Sequence, residues 1–339
     1  MRDYFIRRFL LIPPTLLGVT LIVFFITRLV PGGPIERALA EARQADMGKS
    51  ARPTAGSDTS LSEEQIQQLK RFYGFDKPWY AAYADWMDKV VRGDLGDSHI
   101  YHQPVSTVIN SKLTISIYFG LVTTVLTYAL CLPLGIVKAL RHRSPMDNAT
   151  SVLVFFGYAV PGYALGSLLL LLFAVKLRWL PLGGFVGDDF AELGLAAQAW
   201  DLFRHTALPL VAYLVGSFAF TTMLMKNHLM DNLAADYVRT AVAKGVPFRA
   251  AVFRHALRNS LIPIATTFGQ NIGLVLTGSF LIEVVFDIDG MGLLGFKSLV
   301  DRDYPVVMGI LLISSALLLI GNILSDMLVA WLDPRIRFN

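Results

Sequence analysis

Apolar runs of about twenty residues alternate along this chain with short basic stretches, a pattern that predicts membrane-spanning helices. The first run, residues 10–30, is roughly 30 Å of helix at about 1.5 Å per residue. It follows a short basic start with Arg2, Arg7 and Arg8, carries Pro13 and Pro14 near its entry, and closes on the helix breakers of PGGP (31–34). Further spans are predicted at about residues 113–137, 151–175, 206–225, 264–286 and 306–329. The second is expected to be interrupted late by Pro133 and Gly135. The third carries Gly157, Pro161 and Gly162 at mid-membrane, where a kink or a close helix approach is expected.

Between the first two runs the chain turns soluble in character. Residues 38–60 are small and polar and read as a loosely packed loop. Ser62 is an N-cap candidate with Gln65 three positions on, 73–78 is a turn, and 79–91 reads as an amphipathic helix grouping Trp79, Tyr80, Tyr83 and Trp86. Acidic residues slightly outnumber basic ones over 35–111, as expected on the outer side of a membrane. The basic residues gather instead at 138–148, at 236–263 and in the tail 333–339. Six spans with both termini inside place all of these on one side.

Composition narrows the class. Of 339 residues 54% are hydrophobic and 17% charged, where a soluble domain carries about 25% charged. A net charge of +4 and a pI near 9.1 would suit a nucleic-acid partner, but the cations sit in short loops beside apolar runs, a topological signal. The single cysteine, Cys131, lies in an apolar segment, which excludes an intrachain disulfide and reads as packing. The first run is too long for the apolar region of a cleavable signal and lacks its cleavage pattern.

Candidate chemistry is sparse. Gly48-Lys49-Ser50 matches the end of a P-loop, but Arg43 stands where the first glycine belongs and no apolar strand precedes it. His99 and His102 lack the further ligands of a metal site. No catalytic motif and no chain of intramembrane carboxylates is present. Glu283 and Asp326 fall near span ends, where the cost of charge is reduced and helix anchoring is expected. Gln270 and Asn271 lie deeper; they either line a water-filled path or bond across helices.

The stretch 236–263 is polar and basic between two apolar runs. Residues 237–244 read as a short helix that Gly245 ends in a left-handed cap, with Pro247 in the first turn of a second helix. Arg254 and Arg258 fall one turn apart on that helix. The result is a bent, cationic, inward-facing knob.

This stretch resembles the cytoplasmic loop of ABC importer permeases. Arg239-Thr240-Ala241 stands where the family has Glu-Ala-Ala, Gly245 falls at the family's glycine, and HALRNSLIP (255–263) resembles the dipeptide, oligopeptide and nickel branch. Matching stretches recur in order, including YGFDKP (73–78), RGDLGDS (92–98), LPLGI (132–136), RDYP (302–305) and NILSD (322–326). GYAVPGY (157–163), GLLGF (292–296) and DPRIRF (333–338) look closest to the Yej-type branch, which imports oligopeptides and microcin C.

The resemblance implies an all-α polytopic protein of the bacterial inner membrane with six transmembrane helices and the type I ABC importer permease fold. Residues 1–34 would hold the cytoplasmic N-terminus and first span, 35–111 a small helical extracytoplasmic insertion, and 112–339 a five-helix core with a coupling loop at 231–260. Arg239, Thr240, Ala241, Lys244 and Gly245 would form or support the contact with an ATPase. The partners implied are a second homologous permease, two ATPase domains that bind the ATP and Mg, a periplasmic or lipid-anchored peptide-binding protein, and membrane lipids. This chain itself would need no cofactor. Trp79, Tyr80, Tyr83 and Trp86 would offer the binding protein a surface, or pack onto the permease, and Gln270 and Asn271 would line the path. Nickel import by a permease of the same family is the alternative substrate class, and a secondary transporter without an ATPase, or a membrane scaffold or receptor, the alternative mechanism. The coupling-like loop and the missing intramembrane carboxylates weigh against the secondary transporter, and six spans full of glycine and proline kinks weigh against the scaffold or receptor.

Overall fold

A computed structural model describes residues 2–29, 67, 76–276 and 278–333, and their regular structure is helical apart from one isolated bridge, Asp97 to Pro104. Helix α1 is Arg2–Leu29, so the basic start is the first turns of the helix rather than a tail. Next come α2 (Trp79–Val91), α3 (Val105–Leu140), α4 (Pro145–Ala159) and α5 (Gly162–Leu170), the last continuing as one wide turn over Leu171–Lys176. Helix α6 (Leu195–Ala234) is followed by α7 (Asp236–Ala243), α8 (Phe248–Ala251) and α9 (Leu257–Ser260), with a π-helical turn Val252–Ala256 joining the last two. The chain closes with α10 (Ile262–Leu276), α11 (Phe280–Val285), α12 (Met291–Val300) and α13 (Tyr304–Leu332). The loop expected at 38–60, the cap at Ser62, the first half of the turn at 73–78, Gly48-Lys49-Ser50 and most of the basic tail lie outside the described residues.

Among the described residues four helices are long and apolar enough to cross a bilayer: Tyr4–Arg28, Val105–Leu140, Leu195–Ala234 and Tyr304–Leu332. Pro145–Ala159 and Gly162–Lys176 meet the same test only when taken together, and they are bent by 95° where Val160 and Pro161 leave helical geometry, as in a broken span or a re-entrant loop. The span expected at 264–286 is not one helix. It divides into α10 and α11 around Gly278, at φ +77°, and α10 alone is roughly 22 Å long, short of a bilayer core. Only 11% of the most apolar window of α1 is buried by protein, and Phe9, Leu10, Leu11 and Ile22 present an apolar skin suited to lipid.

The chain forms two units: residues 1–12, 111–294 and 314–339 in one, residues 13–110 and 295–313 in the other. The first has two buried clusters. Phe119, Leu208, Ala212, Ile282 and Phe286 centre one; Met225, Leu229, Val238, Ala251 and Ala256 centre the other. Gly135 does not interrupt α3, which runs through Pro133 and Gly135 to Leu140. Its missing side chain serves contact instead: a Cβ there would lie 2.6 Å from the Met225 side chain and 2.9 Å from the Thr222 carbonyl of α6. In the same way α10 and α13 meet backbone to backbone at Gly269 and Gly321, and the Gly269 N–H donates to Ser325 Oγ at 2.6 Å.

The second unit packs α2 onto α1 through aromatic rings. Phe24 meets Tyr83 and Trp86 at centroid distances of 5.3 and 6.3 Å, Phe25 meets Trp79 at 5.7 Å, and Thr20 Oγ1 and Tyr83 Oη share a hydrogen bond of 2.9 Å. The same unit brings RGDLGDS and RDYP together. Buried Asp303 accepts from Ser98 Oγ at 2.5 Å and from the His99 and Ile100 N–H groups at 3.3 Å each, which pins the loop after α2. Burial there holds the His99 imidazole below its usual range.

Candidate functional site

Three features of the first unit bear on function: a bent knob at 236–260, a buried ionic joint beside it, and a cavity among α3, α6 and α10.

In the knob, Asp236 starts α7 at the end of the helix that favours an anion. Its other end closes in a Schellman motif. The Gly245 N–H donates to the Val242 carbonyl at 2.9 Å and the Val246 N–H to the Ala241 carbonyl at 3.1 Å, with Gly245 at φ +88°. Pro247 stands one residue ahead of α8, as its N-cap, rather than in the first turn. The motif turns the chain so that Val238, Ala251 and Ala256 face inward against Met225 and Leu229. Tyr237, Val242, Phe248 and Phe253 stay exposed on the other face, at 41–57% of their full area. Of the sequence-predicted residues, Arg239, Thr240, Lys244 and Gly245 are exposed and Ala241 is half-buried. Arg239 lies 3.9 Å from Asp236, both open to solvent, a pair worth little to stability. Arg258 leaves the cationic face to donate from Nε to the Leu332 carbonyl at 2.6 Å.

The joint was not anticipated. Residues 138–148 read as a short basic inside loop, yet Lys138 is fully buried, Asp147 is 2% exposed and Lys226 is 6% exposed. Lys226 Nζ, from α6, donates to both Asp147 oxygens at 2.8 Å. Lys138 Nζ, from α3, reaches Asp147 Oδ1 at 3.0 Å, the Asp147 carbonyl at 2.9 Å, Thr150 Oγ1 at 2.9 Å and Ser151 Oγ at 2.8 Å. The Asp147 N–H caps onto Ser144 Oγ at 3.2 Å. The ends of α3, α4 and α6 are thus tied eight residues before α6 gives way to the knob. Asp147 was open to discovery in the sequence only as the single acid inside a basic stretch.

The cavity holds about 410 Å³. Thr123, Thr124 and Thr127 come from α3, Tyr213 and Ser217 from α6, and Asn271 from α10. Eight of its twelve lining residues carry hydroxyls and none is ionised, so it is uncharged, although most of its accessible wall is apolar. Asn271, a sequence candidate for the path, lines this cavity and donates from Nδ2 to Tyr128 Oη at 3.1 Å, a bond between α10 and α3. Gln270 precedes it on α10, and its side chain is outside the described set. Behind the cavity Glu283, expected at a reduced burial cost, is 2% exposed. The Leu293 and Gly292 N–H groups donate to it at 2.5 and 3.3 Å and Tyr213 Oη at 3.4 Å, and these bonds offset part of its desolvation. Asp326, by contrast, keeps to the expected anchoring role: Arg8 pairs with it at 2.9 Å and Tyr4 Oη donates to it at 3.0 Å.

In the second unit, Tyr83 and Trp86 of the aromatic helix are spent on α1, and Tyr80, at 62% exposure, is the ring most open to a partner. Among the described residues no group of three or more His, Cys, Asp or Glu side chains could hold a metal ion.

Residues 131–338 match the family described as the inner membrane component of binding-protein-dependent transport systems. The chain is 37% identical to the peptidoglycan transport system permease YejB of Agrobacterium fabrum, over 100% of this chain and 99% of that one. It is 37% identical to the inner membrane ABC transporter permease YejB of Escherichia coli O157:H7, with the same coverage, and 33% identical to the oligopeptide transport permease AppB of Bacillus subtilis over the whole of both. Among solved structures, the inward-facing methionine ABC transporter MetNI is similar in fold, at 14% identity and a TM-score of 0.51 over 67% of this chain and 97% of that one. With a knob locked by Gly245, apolar spans that face outward and relatives matched end to end, this chain belongs to the family of inner membrane components of binding-protein-dependent transport systems.

Proposed function

We propose that this chain carries oligopeptides across the bacterial inner membrane as one of two homologous permeases in an ATP-driven importer. Two ATPase domains on the cytoplasmic side bind the ATP and Mg, and a periplasmic or lipid-anchored binding protein delivers the peptide. Both termini are cytoplasmic. Relatives named for peptide and oligopeptide transport support the cargo class, with peptide–nucleotide antibiotics such as microcin C at the edge of its range.

The observation that carries the reading is the knob. A short helix locked at its end by two backbone hydrogen bonds, one face buried and the other offering Tyr237, Val242 and Phe248 among exposed cations, is built to transmit force to a docked protein. ATP binding closes the ATPases, the knob passes that motion into α6 and α10, and the path opens to alternate sides by rigid-body movement. Mild-detergent purification of the tagged chain from native membranes, with mass spectrometry, tests this. A second permease and P-loop ATPases are expected to co-purify. The double variant Val242→Asp/Phe248→Asp is expected to lose the ATPases while keeping the second permease. A chain that purifies alone in several detergents overturns the reading in favour of a transporter without an ATPase.

A further inference from the structure

Among α3, α6 and α10 the hydroxyl-lined cavity has a property that packing does not explain. A threonine inside a helix ordinarily satisfies its hydroxyl on its own backbone, one turn back. Thr20, Thr150, Thr206 and Thr266 all do so in this chain, at 2.7–3.0 Å. Thr123 and Thr124 do not. Both Oγ1 atoms are buried and have no hydrogen-bond partner, and both residues line the cavity. Their neighbours are paired: Thr127 with Ser217 at 3.2 Å, Tyr128 with Asn271 at 3.1 Å, and Tyr213 with the Ser279 N–H at 3.2 Å. An unmade hydrogen bond in a buried site costs about 1–3 kcal/mol, so two adjacent ones point to a partner absent from the chain itself. Threonine has two χ1 rotamers open to it in a helix, and rotation exchanges its methyl and hydroxyl toward the cavity.

We propose that this cavity binds the main chain of a peptide in transit, a reading that rests on the peptide-importer function above. A hydroxyl both donates and accepts, so Thr123 and Thr124 serve an amide N–H or a carbonyl equally, whichever way the peptide runs. The wall carries no ionised group to attract or repel a charged side chain. It also offers no histidine or carboxylate to a bare divalent cation. The chemistry that fits is a neutral run of alternating donors and acceptors, which is what every peptide shares whatever its sequence. Selectivity among side chains is then left to the binding protein, and the permease reads only that its cargo is a peptide.

The test uses the complete transporter, with its partners, in proteoliposomes and three probes: tetra-alanine and two tetrapeptides carrying one Lys or one Glu. Thr123→Val/Thr124→Val keeps the shape and removes both hydroxyls; it is expected to raise the KM for all three peptides about tenfold. Thr123→Ser/Thr124→Ser restores it. A second variant is independent of the threonines. A Cβ added at Gly216, which also lines the cavity, meets nothing within 4 Å, so Gly216→Trp is expected to fill the space and block uptake while the subunits still co-purify in unchanged ratio. Unchanged KM in the valine variant together with free passage in Gly216→Trp overturns the proposal, and so does a loss confined to the Lys or the Glu peptide. Failure of the wild-type complex to take up any of the peptides, with its ATPases bound, overturns the peptide-importer reading itself and the cavity's role with it.

Discussion

Removal of the Asp147 carboxylate should destabilise this chain, and the structure says which lysine suffers. Lys138 keeps three acceptors that do not depend on the carboxylate: the Asp147 carbonyl, Thr150 Oγ1 and Ser151 Oγ. Lys226 Nζ directs both of its hydrogen bonds to the Asp147 carboxylate, and the residue is 6% exposed. Asp147→Leu therefore strands one buried ammonium, a change that costs about 3–5 kcal/mol, while exchanging both members of a buried pair for apolar residues is often near neutral. Asp147→Leu should fall by that amount in a reversible detergent-unfolding titration of the purified chain, and Asp147→Leu/Lys226→Met should recover most of it. Lys226→Met alone should cost less than Asp147→Leu, because Asp147 retains Lys138 and the Arg143 N–H. A double variant as unstable as Asp147→Leu would refute the assignment of the cost to Lys226.

At Gly245 the φ of +88° with open space around the Cβ position means that substitution strains only the backbone. Gly245→Ala should lose about 1–2 kcal/mol and Gly245→Asn less, with both chains inserted in the membrane fraction. Gly245→Asp, which adds charge to the exposed bend, should uncouple ATP hydrolysis from uptake in the assembled transporter; uptake equal to that of Gly245→Asn counts against the coupling role. Asp303→Ala removes the acceptor for Ser98, His99 and Ile100, and should cost about 1–3 kcal/mol for each group left unsatisfied. Limited proteolysis should then cut within residues 96–104, and an unchanged digestion pattern shows that the pin is dispensable. For topology, a cysteine at exposed Val91 should react with an impermeant maleimide from outside, and one at Ala250 only after permeabilisation. Cys131, fully buried, should stay silent in both.

How far the fold was legible follows from what a linear pattern encodes. The apolar runs of α1, α3, α6 and α13 stand out because lipid and water select residues by chemistry alone, over a length set by the bilayer. The bend at Pro161 and the left-handed turn at Gly245 were legible for a related reason: each is a local backbone constraint that one residue type satisfies. Gly135 was misread because a glycine chosen for contact looks the same in sequence as one chosen to end a helix, and only the position of Met225 ninety residues away separates the two. Glu283 reads as a span-end residue on the general cost of burying charge, and nothing in the basic stretch marks Lys138 and Asp147 as buried. That cost is a sum over partners, and the partners come from elsewhere: Lys226 from α6 for the joint, and the N–H groups of Gly292 and Leu293 for Glu283.

The same logic explains why the cavity escaped notice while its neighbours did not. Thr123, Thr124 and Thr127 lie in an apolar run where threonine is unremarkable, since it can bond its own helix and behave as a small apolar residue. Asn271 could be singled out because an amide cannot be satisfied that way deep in a span. What sets the threonines apart is a hydrogen bond that two of them fail to make, and an unmade bond has no sequence pattern. The two candidate features of this chain are thus written in two ways. The knob is encoded locally, in a helix, a glycine and a proline over a dozen residues, and can be read in order. The cavity is encoded by convergence of α3, α6 and α10, so it becomes visible only when every buried polar atom has been asked where its partner is.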